Sequence, residues 1–184
     1  SGEPLRFSIT DGRIAAVDQY TGHGAGELPW IAPGFLDIQS NGYGGQEFSS
    51  SELTVEGVAR IASVQGRFGV TRFLPTLTTA GFDTLSHGLA TIDAACRKLP
   101  EVDAIVAGIH LEGPYITGED GPRGAHPLEH CRPPDWDEFS RWQKAAGGRI
   151  RLLTLSPEYP QSAAFIRKAV DAGVVVALGH MAAD

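Results

Sequence analysis

Cysteine is scarce in this sequence. Cys96 and Cys131 are the two among 184 residues, they lie far apart, and no CxxC pair occurs. That pattern argues against a disulfide framework, and Cys96, set on an apolar helical stripe, reads as a buried thiol in a reducing compartment. Long hydrophobic runs are also missing: nothing approaches the roughly 18 apolar residues of a membrane span. The first residues lack a charged start followed by an apolar block, so neither an anchor nor a secretory signal is visible, and a cytoplasmic location is the expectation. Basic residues are in the minority, with 15 Lys and Arg against 22 Asp and Glu for a net charge of −7. Nucleic acid is therefore not an expected partner, since binding it leaves a basic footprint.

What is present is ordinary globular material, 42% hydrophobic and 20% charged, enough for a sizeable core. Leu5 to Thr10 alternates strictly, Asp11-Gly12 is a two-residue hairpin signal, and Arg13 to Val17 returns as the second strand. Thr21 to Pro29 holds three glycines and no periodicity, which reads as a linker. Residues 1–29 are thus expected to form a small β element with its linker, and residues 30–184 something built differently.

From Trp30 the chain alternates apolar runs with helical stretches. Strands are expected over Ile31 to Ile38, ending near Gln39, then Val70 to Leu77, Ala104 to Glu112, Ile150 to Leu155 and Val174 to Leu178. Helical stripes lie between them. The clearest is Leu85, Leu89, Ile92, Cys96 and Leu99; others are Val58, Ile61 and Ala62, then Trp136, Phe139 and Trp142, then Phe165, Ile166, Ala169 and Val170, opened by Pro160 and stopped by Gly173. Repeated βα units with right-handed crossovers place the strands parallel in one sheet. The expected fold class is α/β, the first five strands of an incomplete TIM-like (β/α) barrel, because a closed barrel of eight units takes about 250 residues. The chain is accordingly expected to be part of a longer protein; a five-stranded open sheet is the alternative.

Polar groups stand at the carboxyl ends of four expected strands: Gln39 and Asn41, Glu112, Glu158, and His180. On a barrel those ends ring one mouth, where active sites of this architecture sit. Glu112 and His180 suit a divalent cation, zinc first, with iron or manganese also compatible, although a catalytic zinc has about three protein ligands plus water. His110 shares a strand face with Glu112 and could orient it, or be a hydrogen-bonded structural histidine. Glu158 could line the mouth or cap the next turn. His23, His87 and His130 have no supporting neighbours and read as surface residues.

In chain order, Pro33-Gly34-Phe35-Leu36-Asp37-Ile38-Gln39-Ser40-Asn41-Gly42, Gly69-Val70-Thr71-Arg72-Phe73-Leu74-Pro75-Thr76, His110-Leu111-Glu112-Gly113-Pro114-Tyr115, Arg123-Gly124-Ala125-His126-Pro127, Thr154-Leu155-Ser156-Pro157-Glu158 and Gly179-His180 resemble the N-acetylglucosamine-6-phosphate deacetylases of the amidohydrolase superfamily. The resemblance covers residues 33–183 and, more loosely, the Asp11-Gly12 hairpin, which it makes an element of a β-sandwich domain. It implies that Glu112 and His180 are metal ligands, that Ala125 and His126 lie against the substrate, and that one divalent ion is bound. Gln39-Ser40-Asn41 stands where many amidohydrolases carry a His-x-His pair for a second metal. The resemblance also implies that the remaining metal histidine and the catalytic general base lie beyond residue 184, so no catalytic residue is assigned here and the 184 residues alone are expected to be inactive. The partner implied is a small amino-sugar phosphate, and the full-length protein is expected to be a homodimer. Met181 stands where the family has a small hydroxyl-bearing residue, Asp184 where it often has Thr. Other readings are a different amidohydrolase reaction, on another N-acyl sugar or a cyclic amide, or a non-catalytic half-barrel scaffold.

Overall fold

A computed structural model describes residues 3–22 and 28–182, so His23 and Asp184 lie outside the described residues. The chain divides into two compact units, Ser1–Pro33 and Gly34–Asp184. In the first, β1 (Leu5–Thr10) pairs antiparallel with β2 (Arg13–Gln19). The turn between them holds Asp11 at φ 50° and Gly12 at φ 71°, the two left-handed positions that a tight hairpin of matching twist requires.

The second unit is built on a five-stranded parallel sheet. Its strands are β3 (Phe35–Ser40), β6 (Val70–Thr78), β7 (Ile109–Glu112), β8 (Ile150–Leu155) and β9 (Val175–Leu178), and they lie side by side in chain order. A second antiparallel pair, β4 (Gly42–Tyr43) with β5 (Gln46–Glu47), interrupts the loop after β3. Among the described residues, five α-helices connect the strands: α1 (Val55–Gln65), α2 (Phe82–Lys98), α3 (Pro100–Ile105), α4 (Trp136–Ala145) and α5 (Ser162–Asp171). Two are capped by side chains: Thr54 accepts from the Gly57 amide at 3.1 Å, and Asp135 from the Glu138 amide at 2.8 Å.

The helix α3 corrects the expected strand over Ala104 to Glu112. Pro100 stands at its start with Glu101 and Asp103 in the first turn, all favourable to a helix opening, so the first part of the apolar run is helical and β7 begins at Ile109. The run keeps its place beside β6 through the Ala107 amide, which donates to the Phe73 carbonyl at 2.9 Å.

The core lies between the sheet and its helices. Ile109 and Leu111 of β7, Leu153 and Leu155 of β8 and Phe73 and Leu77 of β6 meet Leu85, Leu89 and Ile92 of α2 and Phe139 and Trp142 of α4, all buried. Trp142 stacks on Phe82 at 5.4 Å between ring centres, and its indole N–H donates to the Phe82 carbonyl at 3.2 Å. Because side chains alternate along a strand, seating Ile109 and Leu111 in this core turns His110 and Glu112 to the opposite face. Among the described residues, no helix is long and apolar enough to cross a membrane.

Candidate metal centre

His110 and Glu112 share a face and do different things there. His110 is 2% exposed and sits in a polar layer running across four strands. Its Nδ1 lies 3.2 Å from the Ile38 carbonyl and 3.4 Å from Thr76 Oγ1, and its Nε2 lies 2.8 Å from Thr154 Oγ1. A carbonyl only accepts, so Nδ1 carries the proton and Nε2 accepts from Thr154. Burial pushes the imidazole below its usual range, opposed by the charge of Glu112 and the bond to Ile38. Its hydrogen bonds go to β3, β6 and β8 and not to the Glu112 carboxylate, which favours the structural reading of this histidine over an orienting one.

Glu112 ends β7 at 7% exposure, and its two oxygens have separate partners. Oε2 accepts from Gln39 Nε2 at 2.8 Å, whereas Oε1 lies 3.1 Å from His180 Nε2 and 3.9 Å from His126 Nε2. Donor atoms of Glu112, His126 and His180 all fall within 4.8 Å of one another, so residues from β7, the loop after β7 and the end of β9 converge on one point. The rings of His126 and His180 meet edge to face at 4.3 Å.

Each histidine is anchored through its far nitrogen. His180 Nδ1 is 3.2 Å from the Pro122 carbonyl, which only accepts, so Nδ1 carries a proton; in the neutral ring the Nε2 lone pair then faces Glu112 Oε1. His180 holds a left-handed backbone at φ 50°, uncommon for a non-glycine residue and costing about 1–3 kcal/mol. Its carbonyl is tied to the Thr117 amide at 3.0 Å. His126 Nδ1 lies 2.8 Å from Thr79 Oγ1. Burial pushes its pKa down, helped by His180 and Arg123 and opposed by Glu112.

A carboxylate oxygen 3.1 Å from an imidazole nitrogen is bridged either by a proton on that nitrogen or by a cation bound to both atoms. Zinc bonds to such atoms run about 2.0–2.2 Å, so two ligands on one tetrahedral ion stand roughly 3.4 Å apart. The pair of Glu112 and His180 fits. The 3.9 Å to His126 would open the ligand–metal–ligand angle to roughly 130–155°, well beyond tetrahedral, so His126 fits a shared ion less well than His180 does, although its donor atom lies in the same cluster.

The other residues singled out from sequence are distributed unevenly. Gln39 reaches the centre through Glu112, and exposed Ala125 directly precedes His126. Asn41 is exposed and its carbonyl accepts from the Phe48 amide at 3.0 Å. Glu158 is exposed and accepts from the Ala182 amide at 2.7 Å, tying the segment after His180. His87 is exposed on α2, with Nε2 2.9 Å from the Leu53 carbonyl. Thr79 went unnoticed in the sequence: a threonine one residue past β6 carries no pattern of its own.

A curled parallel α/β sheet with candidate metal ligands at its carboxyl ends is the layout of the metal-dependent amidohydrolases. Most of its sequence and structural neighbours are N-acetylglucosamine-6-phosphate deacetylases, matched over an N-terminal portion, and a Shewanella relative at 33% identity is an N-acetylgalactosamine-6-phosphate deacetylase. The cattle (Bos taurus) N-acetylglucosamine-6-phosphate deacetylase is 40% identical over 157 residues, covering 84% of this chain and 37% of the relative. The Lysinibacillus sphaericus N-acetylglucosamine-6-phosphate deacetylase is 30% identical over 184 residues, covering 97% of this chain and 46% of the relative. A Mycobacterium smegmatis N-acetyl-D-glucosamine-6-phosphate deacetylase variant, solved in complex with N-acetyl-D-glucosamine-6-phosphate, superimposes with a TM-score of 0.80 at 31% identity, covering 96% of this chain and 45% of that one. The chain thus spans less than half the length of these relatives. No family model matches it.

Proposed function

We propose that this chain is the N-terminal part of a metal-dependent deacetylase that releases acetate from N-acetylglucosamine 6-phosphate, giving glucosamine 6-phosphate. The observation that carries the reading is the convergence of Glu112 Oε1 and His180 Nε2 at 3.1 Å, each held from behind by a partner of its own. Glu112 and His180 hold one divalent ion, zinc by the fit of the donor pair. Such an ion lowers the pKa of bound water to near neutrality and polarises a carbonyl. Gln39 occupies the second oxygen of Glu112 with an N–H donor, leaving one oxygen for the cation. Ala125 and His126 meet the sugar. The group that moves the water's proton to the leaving amine, and the remaining metal ligand, belong to the rest of the protein.

In this reading the five-stranded sheet is the first part of a (β/α) barrel, the β1–β2 hairpin is an edge of a β-sandwich domain, and residues 1–29 and 30–184 are its two contributions. The whole protein is a homodimeric cytoplasmic enzyme, in keeping with Cys96 and Cys131 being free thiols. The test is acetate release from N-acetylglucosamine 6-phosphate by the full-length protein, alongside its zinc content. Activity that depends on zinc, and is lost in Glu112→Ala and His180→Ala together with the metal, is expected. A full-length protein that binds zinc and releases no acetate from this sugar would leave the metal centre and remove the substrate assignment. Residues 1–184 alone are expected to give no turnover.

A further inference from the structure

We propose that Thr79 is a positioning residue that holds His126 as the Nδ1–H tautomer, so that His126 presents a lone pair, and not a proton, to the point shared with Glu112 and His180. The argument begins with the single proton of the Thr79 hydroxyl. Thr79 is 4% exposed, so its hydroxyl is largely shielded from bulk solvent. One neighbour, the Glu112 backbone carbonyl at 3.4 Å, only accepts; the other, His126 Nδ1 at 2.8 Å, can either accept or donate. Both contacts are satisfied at once in one way: the hydroxyl donates to the carbonyl and its oxygen accepts from Nδ1–H. Nε2 of His126 then carries the lone pair, 3.9 Å from Glu112 Oε1.

Gly113 makes this contact sterically feasible. A Cβ at that position would stand 2.1 Å from Thr79 Oγ1, inside any tolerable contact, and the residue holds φ 80°. The glycine that follows the carboxylate therefore leaves room for the hydroxyl to sit between the Glu112 backbone and the His126 ring. The same logic applies to His180, whose Nδ1 is fixed by the Pro122 carbonyl. Two rings with different anchors thus turn the same nitrogen inward. What His126 does with its lone pair rests on the proposed deacetylase reading, in which it accepts a hydrogen bond from a sugar hydroxyl; the tautomer itself does not.

Two measurements separate these claims. The first is nitrogen NMR of the metal-free full-length protein, labelled with ¹⁵N-histidine at pH 8, with His126 assigned from its missing signals in His126→Gln. Wild type and Thr79→Ser are expected to show a protonated Nδ1 and an unprotonated Nε2, and Thr79→Val, of the same shape without the hydroxyl, a shift toward the opposite tautomer. A wild-type ring protonated at Nε2, or an unchanged tautomer in Thr79→Val, overturns the proposal. The second is steady-state kinetics: Thr79→Val should raise KM for N-acetylglucosamine 6-phosphate by about 10-fold, with a smaller change in kcat, and Thr79→Ser should restore it. If the NMR result holds and no deacetylation is found in any variant, the positioning role stands and the substrate assignment falls.

Discussion

Replacing Glu112 by Gln keeps the shape of the side chain and an oxygen able to accept from Gln39, and removes the negative charge that faces His180 from 3.1 Å. Loss of a group that merely orients a ligand weakens a metal site by about 10–100-fold, so loss of the anionic ligand itself should exceed ~100-fold. With free zinc at 100 times the wild-type Kd, binding stabilises the folded wild type by about 2.7 kcal/mol, and at most about 0.4 kcal/mol remains once Kd rises 100-fold. The full-length relatives are about twice as long as this chain, so each kcal/mol moves Tm by roughly 1–2 °C, and zinc should raise the Tm of the full-length wild type by roughly 3–5 °C and that of the variant by under about 1 °C. Metal-free Tm should differ little between the two, because the Gln39 contact survives. Thermal unfolding with and without zinc, paired with a chelator-competition titration, reads both quantities. A Glu112→Gln protein with the full wild-type zinc shift, or a wild type with none, refutes the assignment of this carboxylate.

Other consequences can be checked independently. Gln39→Ala removes the 2.8 Å bond that holds Glu112 Oε2 and should weaken zinc binding by about 10–100-fold with little change in metal-free stability, measured by the same titration. Gly113→Ala puts a Cβ against Thr79 at a left-handed position and should cost upwards of about 2 kcal/mol in denaturant unfolding. Burial, with the Glu138 carboxylate beside it, pushes the Tyr115 phenol far above its usual range. Above the unfolded pKa of about 10 the unfolded state therefore gives up a proton that the folded state keeps, and stability falls with rising pH by about 1.4 kcal/mol per unit. Tyr115→Phe should flatten that slope in Tm measurements from pH 9 to 11; an unchanged slope would show that other groups carry it.

Much of this architecture is legible in the chain because local signals and the tertiary environment agree. Asp11-Gly12 supplies the two left-handed turn positions, Ile150 to Leu155 is a strand over the range its apolar run suggests, and the stripe from Leu85 to Cys96 is the buried face of α2. The misreading over Ala104 to Gly108 shows where such signals stop. Apolar residues in a short helix and in a strand look alike in sequence, and only Pro100 with the acidic first turn marks the helix. The centre itself was legible as residue types at strand ends, since carboxylate and imidazole are recognisable wherever they fall. Its anchoring was not. Glu112 and His180 are 68 positions apart, and the hydroxyl of Thr79, the carbonyl of Pro122 and the amide of Gln39 reach them through pairings that no spacing in the chain encodes.

The chain-order arrangement of the parallel strands bears on biosynthesis. Each strand of the five begins within about 40 residues of the neighbour it pairs with, so no strand must wait for a distant segment before it can dock. Closing a loop of that length carries an entropy penalty that grows only with the logarithm of its size. At a ribosomal rate of about 5–20 residues per second, a new strand emerges every few seconds beside a partner already made. The carboxylate of Glu112 would then be in place on the growing sheet before the imidazole of His180 has left the ribosome.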